Sequence, residues 1–209
     1  AAPQLQTDIA LRIEENTLEN TRGGLVLTGH NIATTTTTTS TTTNTTTTSA
    51  TKATTATTAP SANDSTSLWT WWVVKNKIIG CQGTAITVSK QATPRIAGNL
   101  ICDCRGIGIT VRSAARPSIS GNKIEKCDGE GIRLTDGTCT AAVEVCDNSI
   151  VSGKSCGVLV SDGCVADILR NTVTDNAKGG VLFRQKGGGR LVDNVLARNI
   201  LSGVEVSGD

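Results

Sequence analysis

Residues 171–183 read NTVTDNAKGGVLF, and the spacing of residue types in this stretch recurs along most of the chain. Counted from Asn171, an aliphatic residue follows at the second position, a small or polar residue at the fifth, a glycine at the ninth, and apolar residues at the tenth and twelfth. Another aliphatic residue stands three positions before the asparagine. Short runs of alternating apolar residues between turn-forming residues predict β-strands with one buried face.

The pattern occurs seven times, which predicts a solenoid. The copies begin at Asn16, Asn76, Asn99, Asn122, Asn148, Asn171 and Asn194. From Asn76 onward, successive asparagines are 23, 23, 26, 23 and 23 residues apart, and the copy at Asn16 is one residue short in its middle. A repeat of this length with three strand signals corresponds to one coil of a repeat protein. We therefore predict an all-β parallel β-helix of about seven coils of about 23 residues.

Two structural columns follow from this repeat, because equivalent residues of successive coils stack about 4.8 Å apart. The amides of the asparagines are expected to hydrogen-bond from coil to coil and to satisfy groups that are costly to bury. A glycine or alanine at the ninth position is expected to permit a tight, left-handed turn. The predicted ladder comprises Asn76, Asn99, Asn122, Asn148, Asn171 and Asn194, together with a column of Cys81, Cys104 and Cys127 at the fifth position, a place that falls to Asn20 in the first copy.

The cysteine column has three interpretations. The simplest is a core ladder of small, apolar side chains. Disulfide formation is sterically conceivable, because the spacing of adjacent coils falls within the Cα range of a disulfide. A metal site is disfavoured, because Cys102 and Cys104 lack the usual C-x-x-C spacing and alternate to opposite faces of a strand. We predict no metal and no cofactor.

Residues 34–67 interrupt the repeat with a tract made mostly of threonine. Such a composition cannot bury enough apolar area to fold, so we predict a disordered insertion within one β-helix domain. The domain organisation is then a first coil at 1–33, the insertion at 34–67 and the remaining coils at 68–209. The tract and its flank carry N-glycosylation sequons at Asn44 and Asn63, which would matter only in a secreted protein.

Charged residues accumulate at the connection where both the insertion and the three extra residues of the longest coil fall. Repeat proteins often place insertions and binding sites on one such face. We therefore treat this variable edge as a candidate docking surface, although long turns can be charged simply because they are solvated. The candidate residues are Lys90, Arg95, Arg112, Arg116, Asp136, Glu144, Asp162, Asp167, Arg184, Lys186 and Arg190.

The repeat resembles the right-handed parallel β-helix superfamily, which shares its fold with pectate lyases. The matching pattern is N-x-[IVL]-x-x-[NCG]-x-x-x-[GA]-[IVL]-x-[VLF], close to the short-coil repeats of carbohydrate-binding and sugar-hydrolase type, and it covers residues 9–33 and 68–209. The resemblance implies a right-handed solenoid. It does not assign an activity, because members range from polysaccharide lyases to non-catalytic scaffolds.

Composition narrows the function. A net charge of +2 gives no bulk attraction to nucleic acid, and no apolar run is long enough to span a membrane. The polygalacturonase and pectate-lyase motifs are absent, and the only histidine is His30. Trp69, Trp71 and Val73 alternate and either cover the core or form an exposed aromatic site. We therefore favour a non-catalytic scaffold or protein-interaction module over an enzyme, which would be a polysaccharide lyase or glycoside hydrolase.

The surroundings of the chain are also open to prediction. A partner protein or a neighbouring domain of a longer parent chain is expected, because the sequence contains no methionine and its last coil has no recognisable cap. The alternative is a carbohydrate-binding or polysaccharide-degrading β-helix, for which a glycan would be the ligand. Free cysteines would suit a reducing compartment, so an intracellular location is favoured over a secreted one.

Overall fold

The computed structural model describes residues 11–28, 71–135 and 141–208. The threonine-rich segment and Asp136 lie outside the described residues. The strands are β1 (Leu11–Glu14), β2 (Thr17–Glu19), β3 (Leu25–Thr28), β4 (Trp71–Val74), β5 (Lys77–Ile79), β6 (Ile86–Ser89), β7 (Arg95–Ala97), β8 (Leu100–Cys102), β9 (Ile109–Val111), β10 (Ser118–Ser120), β11 (Lys123–Glu125), β12 (Ile132–Leu134), β13 (Val143–Cys146), β14 (Ser149–Val151), β15 (Val158–Val160), β16 (Val165–Leu169), β17 (Thr172–Thr174), β18 (Val181–Phe183), β19 (Gly188–Val192), β20 (Val195–Ala197) and β21 (Val204–Val206).

These strands form three parallel sheets of seven strands each, which confirms the predicted solenoid. Sheet A is β1-β4-β7-β10-β13-β16-β19, sheet B is β2-β5-β8-β11-β14-β17-β20, and sheet C is β3-β6-β9-β12-β15-β18-β21. Each coil contributes one strand to every sheet, so a residue pairs with its equivalent in the next coil. Ile96, for example, lies between Val73 and Ile119 in sheet A.

The core is a set of aliphatic columns that run along the axis of the solenoid. Strand alternation points one residue of each strand inward, and the stacked columns exclude water from the centre. Ile78, Ile96, Ile109 and Ile124 are almost completely buried, with relative exposures of 0 or 1%. Many residues of these columns are β-branched, and such side chains favour β-strands because they pack well against the neighbours above and below them.

The asparagine ladder closes the bend between sheets A and B. Each Oδ1 accepts the main-chain N–H and the side-chain amide of the asparagine in the preceding coil, as Asn99 does from Asn76 at 2.9 and 3.0 Å. Each amide also donates to a carbonyl of the preceding coil, as Asn99 does to Val73 at 2.9 Å. The ladder therefore ties each coil to its neighbours through hydrogen-bonded groups, which are buried from Asn76 to Asn171 and half-buried at Asn194.

A second column, at the fifth position, changes chemistry along the rod. Thr21 Oγ1 lies 3.1 Å from Cys81 Sγ, so Thr21 rather than Asn20 occupies this place in the first coil, and the assignment of Asn20 was wrong. Cys104 and Cys127 follow, and the column ends in a short asparagine ladder. There, the main-chain N–H and the side-chain amide of Asn176 donate to Asn199 Oδ1 at 3.1 and 2.9 Å.

The predicted left-handed turn at the ninth position was wrong. None of the described ninth-position residues has a positive φ; that conformation occurs one residue before each ladder asparagine and at the fourth position after it. Asp147 (φ 56°) and Asp175 (φ 60°) are examples. Ala85 occupies the ninth position in the second coil, but at Gly131 the position requires glycine for a different reason, which is space. A Cβ on Gly131 would lie 2.3 Å from Ile150 Cγ2 and 2.7 Å from the carbonyl oxygen of Gly157.

Candidate functional site

The outer face of sheet A carries four of the predicted surface residues, Arg95, Glu144, Asp167 and Arg190. The outward residues of its strands stack in register along the whole rod, one per coil, about 4.8 Å apart. We call this set the charged column; it consists of Arg12, Trp72, Arg95, Ser118, Glu144, Asp167 and Arg190.

One end of the charged column is basic and aromatic. Trp72 is half-buried, and the guanidinium carbons of Arg12 and Arg95 lie 4.8 and 5.5 Å from its ring centre. Both distances are within the range of cation–π attraction. Arg116, which shortly precedes β10, lines the same part of the face.

The middle of the column is acidic. Glu144 and Asp167 are register partners on adjacent coils, so two carboxylates stand side by side. Ser118 Oγ donates to Glu144 Oε2 at 3.4 Å, and Asp167 forms an ion pair with Arg190 at 3.4 Å. The column therefore changes sign twice along the axis, from basic to acidic and back to basic.

A second outward column runs beside the charged column, two residues further along each strand. We call it the apolar column, because four of its seven members are hydrophobic; the other three are a glutamate, a serine and a cysteine. Cys146 is 7% exposed, whereas Val192 is 42% exposed. The members are Glu14, Val74, Ala97, Ser120, Cys146, Leu169 and Val192.

A shallow groove of about 490 Å³ lies between the basic and acidic parts of this face. Its walls combine hydroxyl groups, charges of both signs and the Cys146 thiol. The lining residues are Thr93, Pro94, Arg95, Arg116, Ser118, Ser120, Glu144, Cys146 and Asp147.

Asp147 at the border of the groove is held by the next coil. Arg170 Nε and Nη2 donate to the two carboxylate oxygens, each at 2.8 Å. This bidentate hydrogen bond holds the pKa of Asp147 below its ordinary value. The border of the groove therefore carries an ion-paired carboxylate.

The remaining predicted edge residues lie away from sheet A, on the tight turns that leave sheet C. In these turns two consecutive residues have positive φ, and a main-chain hydrogen bond spans the turn, as from Cys164 N–H to the Ser161 carbonyl at 3.0 Å. Arg184 reaches Glu205 on sheet C at 3.7 Å. Asp162 accepts hydrogen bonds from Thr135 and Ser161. The turn residues of the predicted set are Lys90, Arg112, Asp162, Arg184 and Lys186.

The stacked cysteines are buried, free thiols. Cys81, Cys104 and Cys127 have relative exposures of 0 to 1%. Hydrogen bonding with the Cys127 thiol, together with burial, raises the pKa of Cys104 to about 12. Hydrogen bonding with Cys104 and burial also raise the pKa of Cys81. Thiols in this state are poor nucleophiles, so the column is structural.

Metal-binding clusters and membrane-spanning helices are both absent from the described residues. No group of three or more His, Cys, Asp or Glu side chains is arranged to hold a metal ion within residues 11–28, 71–135 and 141–208. In the same ranges, no helix has the length and apolarity of a membrane span.

Sequence reasoning missed Trp72 as part of this face. It considered the alternation of Trp69, Trp71 and Val73, and Trp71 does pack against the core. The same alternation places Trp72 outward, where strand pairing aligns it with Arg12 and Arg95. The period-two pattern contained that signal, but the identity of the coil neighbours requires the strand register.

The chain is therefore a parallel β-solenoid, and the outer face of its sheet A carries a column of charged side chains. The family described as "Right handed beta helix region" matches residues 72–201. This match covers more than half of the chain, so the protein belongs to the right-handed β-helix family. Comparisons with curated proteins and with solved structures found no match.

Proposed function

We propose that the chain is a non-catalytic protein-interaction module whose docking surface is the outer face of sheet A. The observation that carries this proposal is the charged column, which places a tryptophan flanked by two arginines at one end of a rigid sheet and two adjacent carboxylates further along it. Tryptophan and arginine are the residues most enriched at the energetic centres of protein interfaces. Separated charges of opposite sign favour one orientation of a partner and disfavour others.

The state of the carboxylates supports binding rather than catalysis. Hydrolysis of a glycosidic bond needs one carboxyl group to donate a proton and a second to act as base or nucleophile. On this face Asp167 is paired with Arg190, Asp147 is held by two bonds from Arg170, and Glu144 accepts from Ser118. These contacts fix the carboxylates as partners of neighbouring side chains.

A displayed library of random protein fragments, selected on the full chain, tests the proposal. We expect enriched clones to lose at least tenfold in affinity on Arg95→Glu and on Glu144→Arg, two exposed substitutions that leave the core intact. Lys154→Glu is the matched control, because Lys154 is an exposed residue on a turn away from sheet A, paired with Asp128 at 2.9 Å. If the enriched clones lost as much affinity on Lys154→Glu as on the sheet A substitutions, or lost affinity on none of them, sheet A would not be the docking surface.

A carbohydrate ligand is the second candidate, favoured by the composition of the groove. Hydroxyl groups from Thr93, Ser118 and Ser120 and charged groups from Arg95 and Glu144 line it, and Trp72 lies next to it in the charged column. Its weakness is that two guanidinium groups already lie near the Trp72 ring, where a sugar would stack. Binding on a glycan array that is lost on Trp72→Ala, with no fragment selected, would favour this candidate.

A further inference from the structure

We infer that the partner docked on sheet A is an amphipathic α-helix that lies along the axis of the solenoid. This inference rests on the proposed function and specifies the partner by its geometry. It follows from three properties of the face: the distance between its two columns, the spacing of its coils and the order of its charges.

The width of the face fits a helix. The charged and apolar columns are two residues apart along each strand, which is about 6.7 Å. A helix with side chains is about 10 Å wide and covers both columns at once. The apolar stripe of such a helix would pack on Val74, Ala97, Leu169 and Val192, while one polar flank would face the charged column.

The coil spacing also favours a helix over an extended segment. Coils repeat about every 4.8 Å, and a helix repeats its surface rows about every 5.4 Å, a mismatch of about 0.6 Å per step. An extended segment repeats its side chains on one face about every 6.7 Å, a mismatch of about 2 Å per step. Over three coils only the helix keeps its side chains opposite successive coils.

The charges specify the sequence of the partner. Arg95 and Glu144 are both exposed and lie two coils apart, which is about 9.6 Å along the axis. About seven residues of helix span about 10.5 Å and return to the same face. The partner should therefore carry an acidic residue opposite Arg95 and a basic residue seven positions away, opposite Glu144. Its apolar row should include positions three and four residues apart between them.

Two displayed libraries distinguish a helical partner from an extended one. One library holds single helices, randomised on one face, in a three-helix scaffold; the other holds randomised extended strands in a hairpin scaffold. Both are selected on the full chain. We expect enrichment from the helix library, with opposite charges seven positions apart in the enriched clones and at least a tenfold loss of affinity on Arg95→Glu.

A second selection on the Arg95→Glu variant gives a result that loss of folding cannot imitate. This variant presents a carboxylate at both ends of the two-coil interval, so the enriched helices should carry basic residues at both positions of the pair. Enrichment from the strand library alone, or of helices without the seven-residue charge pair, would contradict the inference of a helical partner. It would not contradict the proposal that sheet A is the docking surface. Binding from both libraries that ignores every sheet A variant would overturn the docking surface as well.

Discussion

Asn122 donates its main-chain N–H and its side-chain amide to Asn148 Oδ1, at 2.9 and 3.0 Å, across 26 residues of sequence. The neighbouring steps of the ladder, from Asn99 to Asn122 and from Asn148 to Asn171, cover 23 residues with the same two bonds. The three extra residues therefore leave the ladder register unchanged. The connection between sheets C and A absorbs length changes, because β12 and β13 still pair with their equivalents on both sides.

Removing the Asn122 side chain should destabilise the whole rod. Asn122→Ala leaves the Ile96 carbonyl and the Asn99 N–H without their side-chain partners, and both groups are buried. Each unpaired buried group costs about 1–3 kcal/mol, so the free energy of unfolding should fall by at least about 2 kcal/mol. Urea denaturation followed by circular dichroism measures this change.

Asn16→Ala is the control for the ladder. Asn16 is half-buried, and its amide donates to Glu14 and Asn76 within the described coils. It accepts no ladder bond from another described asparagine, so its loss should cost clearly less than that of Asn122. If Asn16→Ala and Asn122→Ala lowered the free energy of unfolding equally, the hydrogen bonds that a ladder asparagine accepts would not contribute to stability as we expect.

Glycine should be required for space at Gly131, although alanine stands at the ninth position of the second coil. In Gly131→Ala the new methyl group would overlap Ile150 Cγ2 and the carbonyl oxygen of Gly157, which requires the coils to move apart. Overpacking of this kind costs about 1–3 kcal/mol. Thermal melting of Gly131→Ala should show a lower midpoint than that of the wild type.

Gly203→Ala is the matched variant in the same column. A Cβ at Gly203 would meet nothing closer than Leu196 Cβ at 3.8 Å, an ordinary contact. Its midpoint should therefore stay within experimental error of the wild type. A similar loss in both variants would mean that backbone freedom, rather than space, selects glycine here.

The fold could be predicted from the sequence because its signals are local and repeated. The columns that contain Ile96 and Asn122 follow from counting residues within one coil. The site could not be predicted in full, because it depends on which residues become neighbours across coils. Arg95, Glu144 and Asp167 were recognised as charged edge residues, yet nothing in their spacing separated them from Lys90 and Arg112, which lie on the turns from sheet C.

The cysteine column should make the free energy of unfolding fall as the pH rises in the alkaline range. The pKa of Cys104 is about 12 in the folded chain against an ordinary value of 9.0. Below pH 9 the thiol is protonated in both states and the stabilisation is complete. As the pH rises above 9 the thiol ionises only in the unfolded chain, so stability is progressively lost up to about pH 12. One such thiol changes the free energy of unfolding by about 1.4 kcal/mol per pH unit.

Urea titrations between about pH 8 and about pH 10 measure this slope in the wild type and in Cys104→Ala. The variant should be less stable at the lower pH because of the cavity, but its decline with pH should be shallower. Val88→Ala, which creates a cavity at another fully buried position without removing a thiol, should keep the slope of the wild type. Identical slopes in wild type and Cys104→Ala would show that the thiol ionises equally well in both states.

Deleting residues 34–67 should leave the solenoid intact. The deletion retains residues 29–33 and 68–70 between β3 and β4, eight residues in place of the five, 90–94, that connect β6 to β7. The register from Leu11 to Trp71 and from Leu25 to Ile86 joins the first coil to the second without using the deleted segment. Loop length alone changes stability by only about 0.6 kcal/mol per doubling. The far-UV circular dichroism of the deletion variant should match that of the wild type once the spectrum is scaled for length, and its melting should remain a single cooperative transition. Loss of cooperativity would show that the threonine-rich segment packs against the coils.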